Sequence, residues 1–152
     1  MSYQSLAPAT TRWQYGSMNY WLMKSEPSKY SWADLIRDKR TIWDGTRNYQ
    51  VGIYLRAMAL GDPIFFYHSN EGLEAVGVME VVGLAHIDAT DPKGIFYAVD
   101  VAPVRALAKP VTLSAMKAEP ALADMQMFKQ FRLSVVPLEK RHWDTILAMS
   151  ER

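Results

Sequence analysis

Three short polar clusters interrupt apolar stretches of this 152-residue sequence, and any chemistry it performs would centre on them. Lys24-Ser25-Glu26 follows Tyr20-Trp21-Leu22-Met23, and Tyr67-His68-Ser69 ends the run that begins at Pro63. Arg132-Leu133-Ser134 lies within a late apolar stretch, and a further polar segment, Asp44 to Asn48, stands just after Trp43. Aromatic faces beside several donors and acceptors suit a flat heterocycle. Stacking on one aromatic side chain contributes ~1–3 kcal/mol per base. Extracting a base from a duplex costs a few kcal/mol, so contacts to the base edge must supply more. Arg47, Asn48, His68 and Ser69 have the right groups for that edge.

Each of these residues also has a structural reading. Arg47 and Asn48 bond backbone readily and could simply hold a loop. Asp44 could cap the following helix as well as touch a ligand. Lys24 and Glu26 could form a solvated pair worth ~0–1 kcal/mol, and His68 taken alone reads as a structural histidine. Trp32 shares a helical stripe with Leu35 and Ile36 and reads as core. Trp43 precedes a polar turn, which leaves stacking and packing both open.

The remaining composition narrows the classes. There is no phosphate-binding glycine loop, no His-Glu-x-x-His and no Gly-x-Ser-x-Gly. Without cysteine there is no disulfide, thiolate zinc site or cysteine nucleophile. His68, His86 and His142 are far apart with no metal spacing, so no metal, no cofactor and no catalytic residue is expected. Seventeen basic and 16 acidic side chains leave a net charge of +1. That argues against binding nucleic acid through phosphates alone, which relies on counterion release, and leaves recognition of a single base open. No apolar run approaches the ~20 residues of a membrane span, and the start lacks the apolar core of a secretory signal. The expectation is a cytoplasmic protein with no membrane partner, and no oligomeric state follows from the sequence.

Stepping along the chain, residues 1–17 are polar and aperiodic and read as a flexible N-terminal extension before a single domain over 18–150. Tyr20 to Met23 is a strand, and Ser31 with Asp34 begins a helix near 32–39 by a capping box. Val51, Tyr54, Leu55 and Met58 make one stripe of a helix from about Arg47 to Ala59, closed by Gly61. If its first amides lie near the polar segment, they favour an acceptor or anion there. Strands follow at 63–68, 75–82 and 95–104, with a polar loop at 87–94. Gly77 marks a bulge or a close backbone approach. Short helical turns occupy 113–118 and 121–126, a late strand covers Phe131 to Leu138, and Trp143, Ile146 and Leu147 mark a terminal helix. The pattern is α+β: a small, partly closed, mainly antiparallel β-barrel of about five to six strands with peripheral helices.

Four separated segments carry a resemblance. Tyr20 to Pro27 and Trp43 to Gln50 resemble EVE domains, as do Gly61-Asp62 with Phe66-Tyr67-His68-Ser69, and Arg132 to Val135. They occur in the expected order over about Met18 to Met149. Thr46, in place of a small apolar residue, and Val51-Gly52-Ile53, in place of a more polar run, depart from the pattern. The resemblance implies a PUA-like barrel with a pocket for a modified base, 5-methylcytosine or 5-hydroxymethylcytosine in DNA being the family's suggested ligands. It implies ligand contacts from Lys24, Ser25, Glu26, Trp43, Arg47, Asn48, Tyr67, His68, Ser69, Arg132, Leu133 and Ser134. The expected partner is nucleic acid with a modified base, DNA ahead of RNA. The alternatives are a PUA-like RNA-binding module in RNA modification or translation, and an enzyme using Lys24, Glu26 and His68 as acid–base groups.

Overall fold

The computed structural model describes residues 19–152; the segment 1–17, expected as an extension, lies outside the described residues. Strand β3 (Pro63–His68) shows why the sheet forms where it does. Ile64, Phe65, Phe66 and Tyr67 are all fully buried, as a continuous apolar run should be when both its faces are covered. Strand β1 (Tyr20–Ser25) runs parallel to it, and β4 (Glu74–Ile87) pairs antiparallel on its other side. Strand β5 (Tyr97–Thr112) pairs with β4, β2 (Thr41–Trp43) with β5, and β6 (Val135–Leu138) with β1, all antiparallel. The mixed sheet has the order β2-β5-β4-β3-β1-β6 and is not closed. The one parallel pair follows from the long connection between β1 and β3, which carries two helices and β2.

The β4–β5 hairpin is longer than its sequence signal, because register shifts near Gly77, Met79, Gly83 and His86 let a bent ladder continue. Gly77 has the close approach expected of it: a Cβ there would lie 2.5 Å from the Trp32 ring. Trp32 opens helix α1 (Trp32–Asp38), whose capping box joins Ser31 and Asp34 as anticipated. Ile36, assigned to the apolar stripe, is instead 47% exposed. Helix α2 is Tyr49–Ala57, shorter than expected, because Asn48 is extended and caps it by accepting from Val51 N–H at 3.0 Å. Met58 ends α2 in an extended conformation. Gly61 (φ 86°) therefore serves the turn into β3 and not the helix end.

Helices α3 (Leu113–Ala118) and α4 (Gln126–Lys129) flank a 3-10 turn at Pro120–Leu122. Helix α5 (Lys140–Ser150) buries Trp143, Ile146 and Met149, and Trp143 stacks on Phe65 with ring centroids 3.8 Å apart. The late strand is shorter than expected. Leu133 N–H donates to Gln130 O at 3.1 Å, which turns the chain, so Arg132, Leu133 and Ser134 precede β6 and are not inside it. Among the described residues no helix is long and apolar enough to cross a membrane.

Candidate ligand-binding cleft

Parallel pairing sets Lys24 beside Tyr67 and Ser25 beside His68, where β1 and β3 end together. A cleft of about 1120 Å³ opens there. Lys24 and Ser25 line it from the end of β1, Glu26 and Tyr30 from the residues after it, and Arg40 to Thr46 through β2. Tyr67 and Ser69 contribute from β3, and Phe131, Arg132 and Ser134 from the turn before β6. That turn is held in place by Lys24 N–H donating to Ser134 O at 2.8 Å, and the β3 end by Ser69 N–H donating to Ser25 O at 3.0 Å.

Two side chains dominate the chemistry. The Lys24 ammonium donates to Phe131 O at 2.6 Å and lies 4.1 Å from the centre of the Phe131 ring. Burial lowers its pKa to about 8, because the charged form loses hydration. Tyr67 is fully buried, and its hydroxyl has no hydrogen-bond partner among the described residues. Burial, aided by the Glu74 carboxylate, pushes it up to about 12, so it stays a neutral donor. A buried hydroxyl without a partner forfeits ~1–3 kcal/mol of hydrogen bonding. Around this pair the rim charges mostly neutralise each other: Arg40 meets Asp100 at 3.0 Å and Lys29 meets Glu26 at 3.8 Å. Arg40 and Lys29 were missed in the sequence, as were Tyr30 and Phe131. Cations on either side of α1 were the available signal.

The other expected site residues lie elsewhere. Strand side chains alternate faces, so His68 turns away from Tyr67, and its Nε2 accepts from Trp32 N–H at 3.1 Å. Lys24, Glu26 and His68 are thus not brought together. Leu133 is buried, and neither it nor Asn48 lines the cleft. Arg47 reaches Asp88 at 3.0 Å and Thr90 Oγ at 3.1 Å. Trp43 does line the cleft, yet it is only 8% exposed and sits edge-on to Phe66 at 5.5 Å. Its β2 pairing with Val99 was invisible as a three-residue strand.

In the sequence Asp88 stands out only as part of a polar loop. Its buried carboxylate accepts from Gly45 N–H at 2.7 Å, Arg47 at 3.0 Å, and the amide and hydroxyl of Thr90 at 2.8 and 2.6 Å. Burial opposes its ionisation, but these donors outweigh burial and bring its pKa down to about 2. Asp88 therefore fixes the loop that forms one side of the cleft.

Relatives share this architecture. Thymocyte nuclear protein 1 of Rattus norvegicus is 38% identical over 88% of this chain and 74% of its own length. The solved structure of a Rhodopseudomonas palustris protein is 43% identical, with a TM-score of 0.83 over 88% of this chain and 94% of that one. The human THYN1 protein, solved in complex with 5-methylcytosine-containing DNA, is 34% identical, with a TM-score of 0.84 over 88% of this chain and 98% of that one. Residues 19–149 match the EVE domain, and this chain belongs to the EVE domain family.

Proposed function

We propose that this chain is a DNA-binding module whose cleft receives a modified base, 5-methylcytosine or 5-hydroxymethylcytosine, turned out of the duplex. The observation that carries the reading is the buried Tyr67 hydroxyl, unpartnered among the described residues, beside the Lys24 ammonium in that cleft. A polar base edge would satisfy that donor, and the likeness to human THYN1 bound to 5-methylcytosine DNA supports cytosine as the base. Tyr30 and Phe131 supply aromatic surface, with Trp43 packed behind. Ser25, Glu26, Ser69 and Ser134 offer further polar groups, and Arg132 suits a phosphate. Arg47, Asn48, His68 and Leu133 act in this reading by holding the cleft's surroundings.

The test is fluorescence anisotropy with duplexes carrying one cytosine, 5-methylcytosine or 5-hydroxymethylcytosine, alongside RNA with and without methylated adenine. Tighter binding to a modified duplex, lost in Lys24→Ala, is the expected outcome. Equal affinity for all of these probes rejects the reading, and tighter binding to RNA irrespective of modification would favour the RNA-binding alternative.

A further inference from the structure

Beside the cleft, but outside it, α2 presents an exposed face that the fold does not cover. Tyr49 is 69% exposed and Ile53 56% exposed, one turn apart on that face. The Tyr49 ring packs against Phe96 at 5.0 Å, and the Arg47 guanidinium lies 5.7 Å from the same Phe96 ring. At the other end Arg56 lies over the Tyr97 ring at 4.9 Å and donates to Gly52 O. Gly52 faces Tyr97, and a Cβ there would meet that ring in ordinary van der Waals contact at 3.9 Å. The result is a strip of arginines and tyrosines packed on Phe96 and on Tyr97, the first residue of β5.

The charges on this strip are one-sided. The neighbouring loop contains two carboxylates, and both are turned inward: Asp88 is 0% and Asp91 8% exposed. Asp91 is occupied by the N–H groups of Lys93, Ile95 and Phe96. Lys93 of that loop is exposed, and neither it nor Arg56 forms an ion pair with any described residue. Arg47 shares its charge with Asp88 and contributes donors more than net charge. Helix α2 itself has no acidic residue. A chain of net charge +1 thus sets unpaired cations beside one exposed aromatic ring, Tyr49, and two half-buried ones, Phe96 and Tyr97, the combination that tracks a nucleic-acid strand. The strip is also continuous with the cleft: Asp44 to Thr46 line the cleft, and Arg47 to Tyr49 follow directly.

From these features we infer that the α2 face with Phe96 and Tyr97 is a second contact for DNA, holding the strand that flanks the base in the cleft. Tyr49 stacks on a neighbouring base, and Arg56 and Lys93 meet phosphates. From Tyr49 to Arg56 the face extends about 10 Å at ~1.5 Å per residue, matching about three nucleotides at ~3.4 Å each. The assignment of the strand to this side rests on the cleft reading above.

The experiment titrates an 18-mer duplex with one central 5-methylcytosine, and its unmodified twin, over a range of salt concentrations. The proteins are the native chain, Tyr49→Ala, Arg56→Ala with Lys93→Ala, and Lys24→Ala. The expected result is about a tenfold loss of affinity in Tyr49→Ala and a plot of log K against log salt shallower by about 1–2 in the double variant. Both variants should keep the native preference for the methylated duplex, which Lys24→Ala should lose. The exposed strip side chains leave the melting temperature as a check on folding. Unchanged affinity and salt slope in the strip variants overturn the inference, as does a chain dimer in sedimentation that Ile53→Asp dissociates. A missing methyl preference with strip effects intact rejects the cleft reading and leaves the strip standing as a DNA contact.

Discussion

Asp88 and Tyr67 are both buried polar groups near the same cleft, and their surroundings differ completely. The Asp88 carboxylate receives hydrogen bonds from Gly45, Arg47 and Thr90, so its full acceptor capacity is used inside the protein. The Tyr67 hydroxyl receives nothing from the described residues, and Lys24 beside it meets a backbone carbonyl and the rings of Phe131 and Tyr67. Polar groups buried at similar depth in one structure thus divide into a saturated set and an unsaturated set. In the proposed reading, saturation marks residues that build the cleft, and lack of it marks residues placed to meet a ligand.

The largest expected effect is on the saturated side. Asp88→Ala strands the donors of Gly45, Arg47 and Thr90 and should lower unfolding stability by about 3 kcal/mol, read by urea denaturation. Its pH dependence has a definite sign. Asp88 has a folded pKa of about 2, below the ordinary aspartate value of 3.8, so its contribution is present above pH ~4 and disappears as pH falls towards 2. A native chain and Asp88→Asn with identical stability loss over that interval would break the comparison.

Next in size is Lys24. Its pKa of about 8 lies below the unfolded 10.5, so the folded state disfavours the charged form and folding stability rises as pH climbs from about 8 to 10.5. A polyanionic ligand prefers the ammonium, so DNA affinity should fall about tenfold per pH unit once well above 8, and Lys24→Met should flatten that fall. A native profile already flat between pH 7 and 10 would remove Lys24 from the unsaturated set.

The smallest effect sharpens the contrast from the other direction. Asn48→Ala removes the α2 cap and should cost about 1 kcal/mol of stability, while the preference for a methylated duplex stays unchanged. A lost preference with α2 intact by circular dichroism would return Asn48 to the ligand contacts.

These same residues show what a sequence carries. The polar clusters after β1 and β3 could be located because each interrupts an apolar run, and the parallel pairing of those strands brings Lys24 and Tyr67 together. Residue type alone could not divide them. His68 and Arg47 have the donors a base edge needs, but strand alternation gives His68 to Trp32, and a long-range ion pair gives Arg47 to Asp88. Both outcomes depend on tertiary neighbours. The apolar run at 63–68 and the helical stripe of Trp143, Ile146 and Leu147 are legible because burial imposes their pattern. Thr41-Ile42-Trp43 was not, since three residues have no period and their strand exists through pairing with β5. Arg132 to Ser134 looked like strand because it adjoins Val135, and the turn bond to Gln130 is what removes it.

Tyr67→Phe tests the central claim most directly, measured twice in one preparation: urea unfolding of the free protein and anisotropy with the 5-methylcytosine duplex. Deleting a hydroxyl that has no internal partner should leave stability unchanged or raise it by up to about 1 kcal/mol. The same deletion should weaken the methylated duplex about tenfold, as expected for one lost hydrogen bond in the complex. Lower stability with unchanged affinity would show that the hydroxyl serves the fold and that the cleft does not meet its ligand through Tyr67.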